Sequence, residues 1–348
     1  MPRKKHNHPL SAISMEQWKT LMEASLRIAE MKPWTWMEES DVFGIQPIGA
    51  ELPSFISVMG ALGDYHSMAL YESPLAMHQI LHLQKNTDNK RMDEVLETPH
   101  LQAIFGSATD LCPEEKKVVK SLGISPRGRA AWPQYKSFRA GYAPWYIEPS
   151  EVSPLLLAME QLLEFAPRFK KDPSILPEIG SKGRFWVRIQ EVQDGHTVWR
   201  EEVREYPQEP QHLRITIPQS IVDAMRFIPV TDMCVELGVS LIPHLIGNPG
   251  ERPRFPYFLI LVESESAFSF GFDMMTVETT LQAMWEQLPG RVVKALMNHK
   301  IKPSTLLVNN AWLQMILSPI CGELGIQVQR CRSLPALEMV QADMERFM

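Results

Sequence analysis

The sequence is poor in the residues that usually betray a site. It has four cysteines, Cys112, Cys234, Cys321 and Cys331, and no two of them are spaced as Cys-x-x-Cys. That argues against a zinc knuckle or a disulfide scaffold and fits a reducing, cytoplasmic location. No apolar run approaches the ~20 residues needed to cross a bilayer, so no membrane partner is expected. The basic start, residues 1–8, leads into no apolar stretch, which speaks against a secretory leader. There is no Gly-x-x-x-x-Gly-Lys loop, no Gly-x-Gly-x-x-Gly turn and no Gly-x-Ser-x-Gly elbow. Nucleotide-driven chemistry and serine hydrolysis therefore lack their usual phosphate cradle and nucleophile. Neither sign of charge dominates: 35 Lys and Arg against 41 Asp and Glu give a net charge of -6, with no overall pull toward nucleic acid.

What is present is ordinary globular material, 45% hydrophobic and 22% charged over 348 residues, enough for two cores and two domains. One segment stands apart. Between Arg127 and Tyr146, six aromatics (Trp132, Tyr135, Phe138, Tyr142, Trp145 and Tyr146) are interleaved with Arg127, Arg129, Lys136 and Arg139, and no acidic residue occurs. Pro133, Gly141 and Pro144 argue against either a plain helix or a plain strand. So many aromatics are costly to expose, so the segment is expected to be pinned as a strap, onto the protein's own core or onto a partner.

Along the chain, Ser14 and Gln17 form a capping-box pattern opening a first helix that Pro33 closes. Short strands follow at 42–47, 55–61 and 68–71, then a helix from Ser73 through Leu83, a charged link from Lys85 to Glu97, a strand at 101–105 and a helix at 112–121. A leucine-rich helix spans 150–165. Asp194-Gly195 then centres a hairpin of strands 185–192 and 197–203. The second half reads as strands at 234–241, 258–262 and 268–272, helices at 277–287 and 291–298, a strand at 305–308, a helix at 311–323, a strand at 326–329 and a final helix from Pro335. Leu101–Ile124 and Thr305–Ile326 share one order, strand, turn and helix, each ending in Leu-Gly-Ile. The expectation is therefore an α+β protein of two related lobes, each a mainly antiparallel sheet in βββαβα order, as an internal duplication of degenerate ribonuclease-H-like outline would give. The lobes are placed at 1–166, including the strap, and 184–348, with 167–183 as linker.

Several of these features resemble an uncharacterised bacterial family. They are Trp36 after Pro33-Trp34, the run Ser57-Val58-Met59-Gly60, and Trp132-Pro133 through Phe138-Arg139-x-Gly141-Tyr142-x-Pro144-Trp145. The tail is similar to that family's C-terminal module, with Arg252-Pro253-x-Phe255-Pro256 before a strand, Pro303 before another, and Leu334-Pro335-Ala336-Leu337 opening the last helix. The resemblance spans nearly the whole chain and implies domains of unknown function, with no activity to carry over. In relatives the strand matching Leu259–Val262 leads into an Asp and a small-residue turn. Here those positions read Glu263-Ser264-Glu265-Ser266-Ala267, a departure that weakens any role inherited by that acid.

Two functions are weighed. A ribonuclease-H-like hydrolase needs three or four carboxylates around two divalent metals, Mg²⁺ or Mn²⁺, about 3.5–4 Å apart. Asp41, Asp110 and Glu263 are the nearest candidates, with Glu148 or Glu151, Asp273 and Glu338 behind them. None forms a motif, the strand at 305–308 ends in Asn309-Asn310, and Asp110 precedes a helix where Asp is a routine cap. His78 and His82 have the i, i+4 spacing of metal ligands but lack the Glu of a metalloprotease helix and are expected to face solvent. The favoured expectation is a non-enzymatic binding or regulatory protein without cofactor. Its binding candidates are Arg127, Arg129, Trp132, Arg139, Tyr142 and Trp145, whose rings and cations suit a single-stranded nucleic acid or a protein partner. A strap lying across the protein's own sheet accounts for the same residues. Leu337, Val340 and Met344 on the last helix are the weaker candidates for a partner surface, since their spacing is the ordinary core-facing one.

Overall fold

The computed structural model describes residues 9–63, 65–85, 92–177, 183–207, 213–215, 217–242 and 244–347. The chain divides into two compact units, Met1–Pro210 with Asn248–Arg252, and Gln211–Gly247 with Pro253–Met348. Both mix helices with sheets, and the fold class is α+β.

The first unit starts with α1 (Met15–Met31), whose Ser14 and Gln17 make the expected reciprocal capping box. Strands β1 (Phe43–Gln46), β2 (Ser54–Met59), β3 (His66–Tyr71), β4 (His100–Gly106), β5 (Trp132–Phe138) and β6 (Trp145–Tyr146) form an antiparallel meander. Helices α2 (Pro74–Lys85) and α3 (Met92–Glu97) join β3 to β4, α4 (Pro113–Ser121) joins β4 to β5, and α5 (Pro149–Lys171) follows β6. The hairpin β7 (Arg184–Gln193) and β8 (His196–Glu205) completes the sheet, in the order β6-β5-β4-β3-β2-β1-β7-β8. One face is covered by α1 and α5, with Leu21, Ile28, Leu155, Leu162 and Phe165 buried against Phe43, Ile56 and Met68. The other face carries α2, with Met77 and Ile80 against Phe55, Phe185 and Val187.

Four expectations are corrected in this unit. The hairpin does not open a second lobe: β7 pairs parallel with β1, from Gly44↔Val187 to Gln46↔Ile189. The proposed linker begins inside α5, which runs through Pro167 to Lys171, and its residues 178–182 lie outside the described residues. The strap contains a regular strand after all, since β5 stays in register with β4 from Trp132 to Phe138. Pro133 is tolerated because β6 pairs only with Lys136 and Ser137, so β5 is an edge where proline needs no second partner. Finally, His78 does not face solvent: its Nε2 lies 2.5 Å from the Tyr206 carbonyl oxygen and its ring packs edge-on to Phe185.

The second unit has α6 (Gln219–Arg226), then β9 (Thr231–Leu241), β10 (Pro256–Glu263), β11 (Ser269–Thr276), α7 (Leu281–Asn298), β12 (Pro303–Val308), α8 (Ala311–Glu323), β13 (Gln327–Arg330) and α9 (Pro335–Phe347). Its sheet runs β11-β10-β9-β12-β13, antiparallel among the first three strands and parallel from β9 to β13. The matching order of elements in the two halves thus produces different sheets. β4 lies antiparallel to β3, whereas β12 crosses over to lie parallel to β9. The two helices expected at 277–287 and 291–298 are one, α7, which accommodates Pro289. Leu337 of α9 is buried, and with Val340 and Met344 it packs on Ile260 and Val262. Among the described residues, no helix is long and apolar enough to cross a membrane.

Candidate functional site

In the second unit a cavity of about 600 Å³ opens between β11 and α7. Its origin is a register fault. Ser269 pairs with Val262 and Phe272 with Ile260, so β11 carries one extra residue, and Gly271 sits in that interval with φ +102°. A bulge of this kind bends a strand and re-aims its side chains, and the positive φ favours glycine. Phe270 is turned inward, its ring 5.8 Å from that of His299, and a Cβ added at Gly271 would come within 4.0 Å of His299 Nε2.

The opposite wall is a stripe of α7. Arg291, Lys294, Ala295 and Asn298 recur at helical spacing, followed by His299 as C-cap. Arg291 and Lys294 lie a turn or more before that cap. Arg291 Nη1 donates to Asp273 Oδ2 at 2.8 Å, while no ion-pair partner for Lys294 is found among the described residues. Leu261 and Phe270 supply the apolar lining. The cavity therefore combines three basic side chains, one carboxylate, an amide and an aromatic ring, an arrangement suited to an anionic group carried on an apolar body.

The strap, for which a structural lock and a binding groove were both weighed, is largely engaged with its own unit. Tyr135 is buried, its hydroxyl 2.8 Å from Ser25 Oγ and its ring against Trp18. Phe138 stacks on His100 at 4.0 Å. Arg139 Nη2 lies 2.8 Å from Glu148 and 2.9 Å from Glu151, and Lys136 sits over the Tyr146 ring, 3.5 Å from Glu115. Trp132, Tyr142 and Trp145 are half-buried, while Arg127 and Arg129 are exposed. Arg252, from the Asn248–Arg252 segment of this unit, donates to the Tyr146 carbonyl at 3.5 Å. Burial, and then the like charge of Arg139, lower the Arg252 pKa to about 10.

The three carboxylates considered for catalysis each close a turn of their own loop. Asp41 accepts the Glu38 N–H at 2.7 Å, and burial raises its pKa. Asp110 accepts the Ser107 N–H at 2.6 Å and the Ser107 hydroxyl at 2.9 Å, which hold its pKa low. Glu263 is held low by the Ser266 hydroxyl and then by the N–H groups of Glu265 and Ser266. Among the described residues no three His, Cys, Asp or Glu side chains are grouped so as to hold one metal ion.

Sequence reasoning missed Glu236. It lies in the middle of β9, is 3% exposed, and accepts the Leu337 N–H of α9 at 2.8 Å. Its signal was a lone carboxylate inside the apolar run Val235–Val239. The cavity was missed as well, because α7 was divided at Pro289 and β11 was taken as regular.

No curated protein matches the chain. Among solved structures, a chain of the simian T-cell lymphotropic virus intasome in complex with PP2A regulatory subunit B56 gamma is similar over 38% of this chain and 40% of that one. The identity is 12% and the TM-score 0.25, a likeness too loose to carry an argument. Residues 18–188, reaching into β7, match the model of a domain of unknown function, DUF7309. Residues 223–345 match the model of a second domain of unknown function, DUF6930, in agreement with the resemblance read from the aromatic segment and the tail.

Proposed function

We propose that this is a non-enzymatic bacterial binding protein whose second unit takes a ligand bearing an anionic group in the cavity between β11 and α7. The observation that carries this reading is the cavity itself: about 600 Å³ of space faced by Arg291, Lys294 and His299 against the single carboxylate of Asp273. The four free cysteines fit a reducing cytoplasm as the place of action. In this reading the strap locks the sheet edge of the first unit and leaves docking to the second, since its cations Lys136 and Arg139 already face carboxylates.

The hydrolase reading draws support only from the β11-β10-β9-β12-β13 strand order. Against it, the carboxylate in the middle of β9, Glu236, caps α9, and β12 is followed by Asn309 and Asn310 rather than an acid.

The test uses 8-anilinonaphthalene-1-sulfonate, a sulfonate on an aromatic body. It should bind the folded protein saturably at one site, and Lys294→Glu should weaken binding about tenfold by reversing an attractive charge. Lys294 is exposed, so the melting temperature should stay unchanged. Undiminished binding by the folded variant would remove the cavity as the site.

A further inference from the structure

We infer that the ligand of this cavity is an extended acidic peptide, which adds to the sheet of the second unit as a strand alongside β11; the inference rests on the cavity reading above. The first argument is the condition of the sheet edges. A free strand edge invites pairing, and proteins blunt it with brevity, charge or bulges. In the first unit, β6 has two residues, and β8 presents Arg200, Glu202 and Arg204, linked to one another. In the second unit, β13 has four residues and exposes Gln327, Gln329 and Arg330. The β11 edge is different. It is eight residues long and is paired with β10 alone among the described strands. It also leaves Phe272 60% and Met274 53% exposed. Its bulge is confined to the stretch before Phe272, and register with β10 is regular from Phe272 to Thr276.

The second argument is what each face of an added strand would meet. Residues directly opposite on paired strands share a face. Phe272 and Met274 oppose Ile260 and Phe258, which pack on α9, so the α9 side of this edge is apolar. Asp273 opposes Leu259 on the other side, where it meets Arg291, and there Lys294 and His299 line the cavity. Side chains of an added strand alternate between these faces. The fitting sequence therefore alternates acidic residues, toward Lys294 and His299, with apolar residues, toward Phe272 and Met274. Main-chain hydrogen bonds to the Phe272–Thr276 edge would hold it, the mode known as strand addition.

The probe is an unlabelled peptide of alternating glutamate and valine, about nine residues long. It is compared by calorimetry with a peptide of the same composition whose glutamates and valines are segregated in two blocks. The alternating peptide should bind at least about tenfold more tightly than the block peptide, because only alternation satisfies both faces. Phe272→Lys, a charge on an exposed position, and Lys294→Glu should each reduce that binding by about tenfold. Amide hydrogen exchange of 272–276 should slow when the peptide binds. Equal affinity for the two peptides, or unchanged exchange along β11, overturns strand addition. So does tighter binding of oligothymidylate than of the alternating peptide. If the sulfonate probe still depends on Lys294 while neither peptide binds, strand addition fails and the cavity reading stands. If the sulfonate probe is indifferent to Lys294, the cavity reading fails first.

Discussion

His100 lies between two rings, stacked on Phe138 at 4.0 Å and 5.3 Å from Tyr71, with its Nδ1–H donating to the Thr98 carbonyl at 2.8 Å. Burial pushes its pKa down from 6.5 to about 4. Between those two values the unfolded chain binds a proton that the folded chain refuses, so stability is intact above the ordinary histidine range and declines as pH falls toward 4. The loss should be on the order of 3 kcal/mol at the acid end. His100→Phe keeps a ring in the stack and removes the titration. Its melting temperature should therefore fall less steeply between pH 6.5 and 4 than that of the parent. Parallel curves would show that His100 is not the group responsible. From the sequence, His100 was only one of several histidines near a strand. What isolates it is the register that sets it opposite Tyr71 on one side and Phe138 on the other, and pairing between strands so far apart in the chain leaves no local signature.

The hairpin and α5 are joined by charges that the sequence shows but does not connect. Arg188 on β7 is 3% exposed and donates to Gln161 at 2.6 Å and to Glu164 at 2.5 Å. Its Nε lies 3.3 Å from Glu201, an ionic contact without hydrogen-bond alignment, and its guanidinium lies 5.4 Å from the Trp199 ring centroid. Arg168 grips Glu201 with two hydrogen bonds of 2.6 and 2.7 Å, which lower the Glu201 pKa. Removing Arg188 leaves the buried Gln161 amide oxygen without its donor, while Glu164 is solvated and Glu201 keeps Arg168, so Arg188→Leu should cost about 1–3 kcal/mol in a denaturant titration. Arg200→Leu, on the exposed side of β8, should leave the transition in place. Equal effects would mean that the buried network contributes no more than a surface pair. The elements themselves were legible: Asp194-Gly195 announced the turn, and Asp194 and Gly195 both have positive φ as such a turn requires. Their partner was not legible, because the pairing of β7 with β1 closes a loop of more than a hundred residues. The cavity suffered similarly. Gly271 and the Arg291–Asn298 stripe are each visible in the sequence, but only the bulge and the continuity of α7 through Pro289 bring them together.

At the scale of the whole molecule, the decisive clue to the division of the chain was the composition of β7. A strand with one face in water alternates apolar and polar residues, whereas a strand covered on both faces is apolar throughout. Phe185, Trp186, Val187 and Ile189 are all buried, and Arg188 among them is neutralised by α5. Phe185 and Val187 join the core under α2, while Trp186 joins the core under α1 and α5. A run of this kind belongs inside a sheet rather than at the start of a new lobe. The hairpin therefore completes the first unit, and cutting the chain before it should be far more damaging than cutting after it. A fragment ending at residue 207 keeps β7 against β1 and should unfold cooperatively in urea, with dispersed amide resonances. A fragment ending at residue 183 loses β7, bares the β1 edge and opens both cores, and should show neither property. Cooperative unfolding of the shorter fragment at the same urea midpoint would place the hairpin outside the folding unit. It would also return the boundary to the stretch after α5.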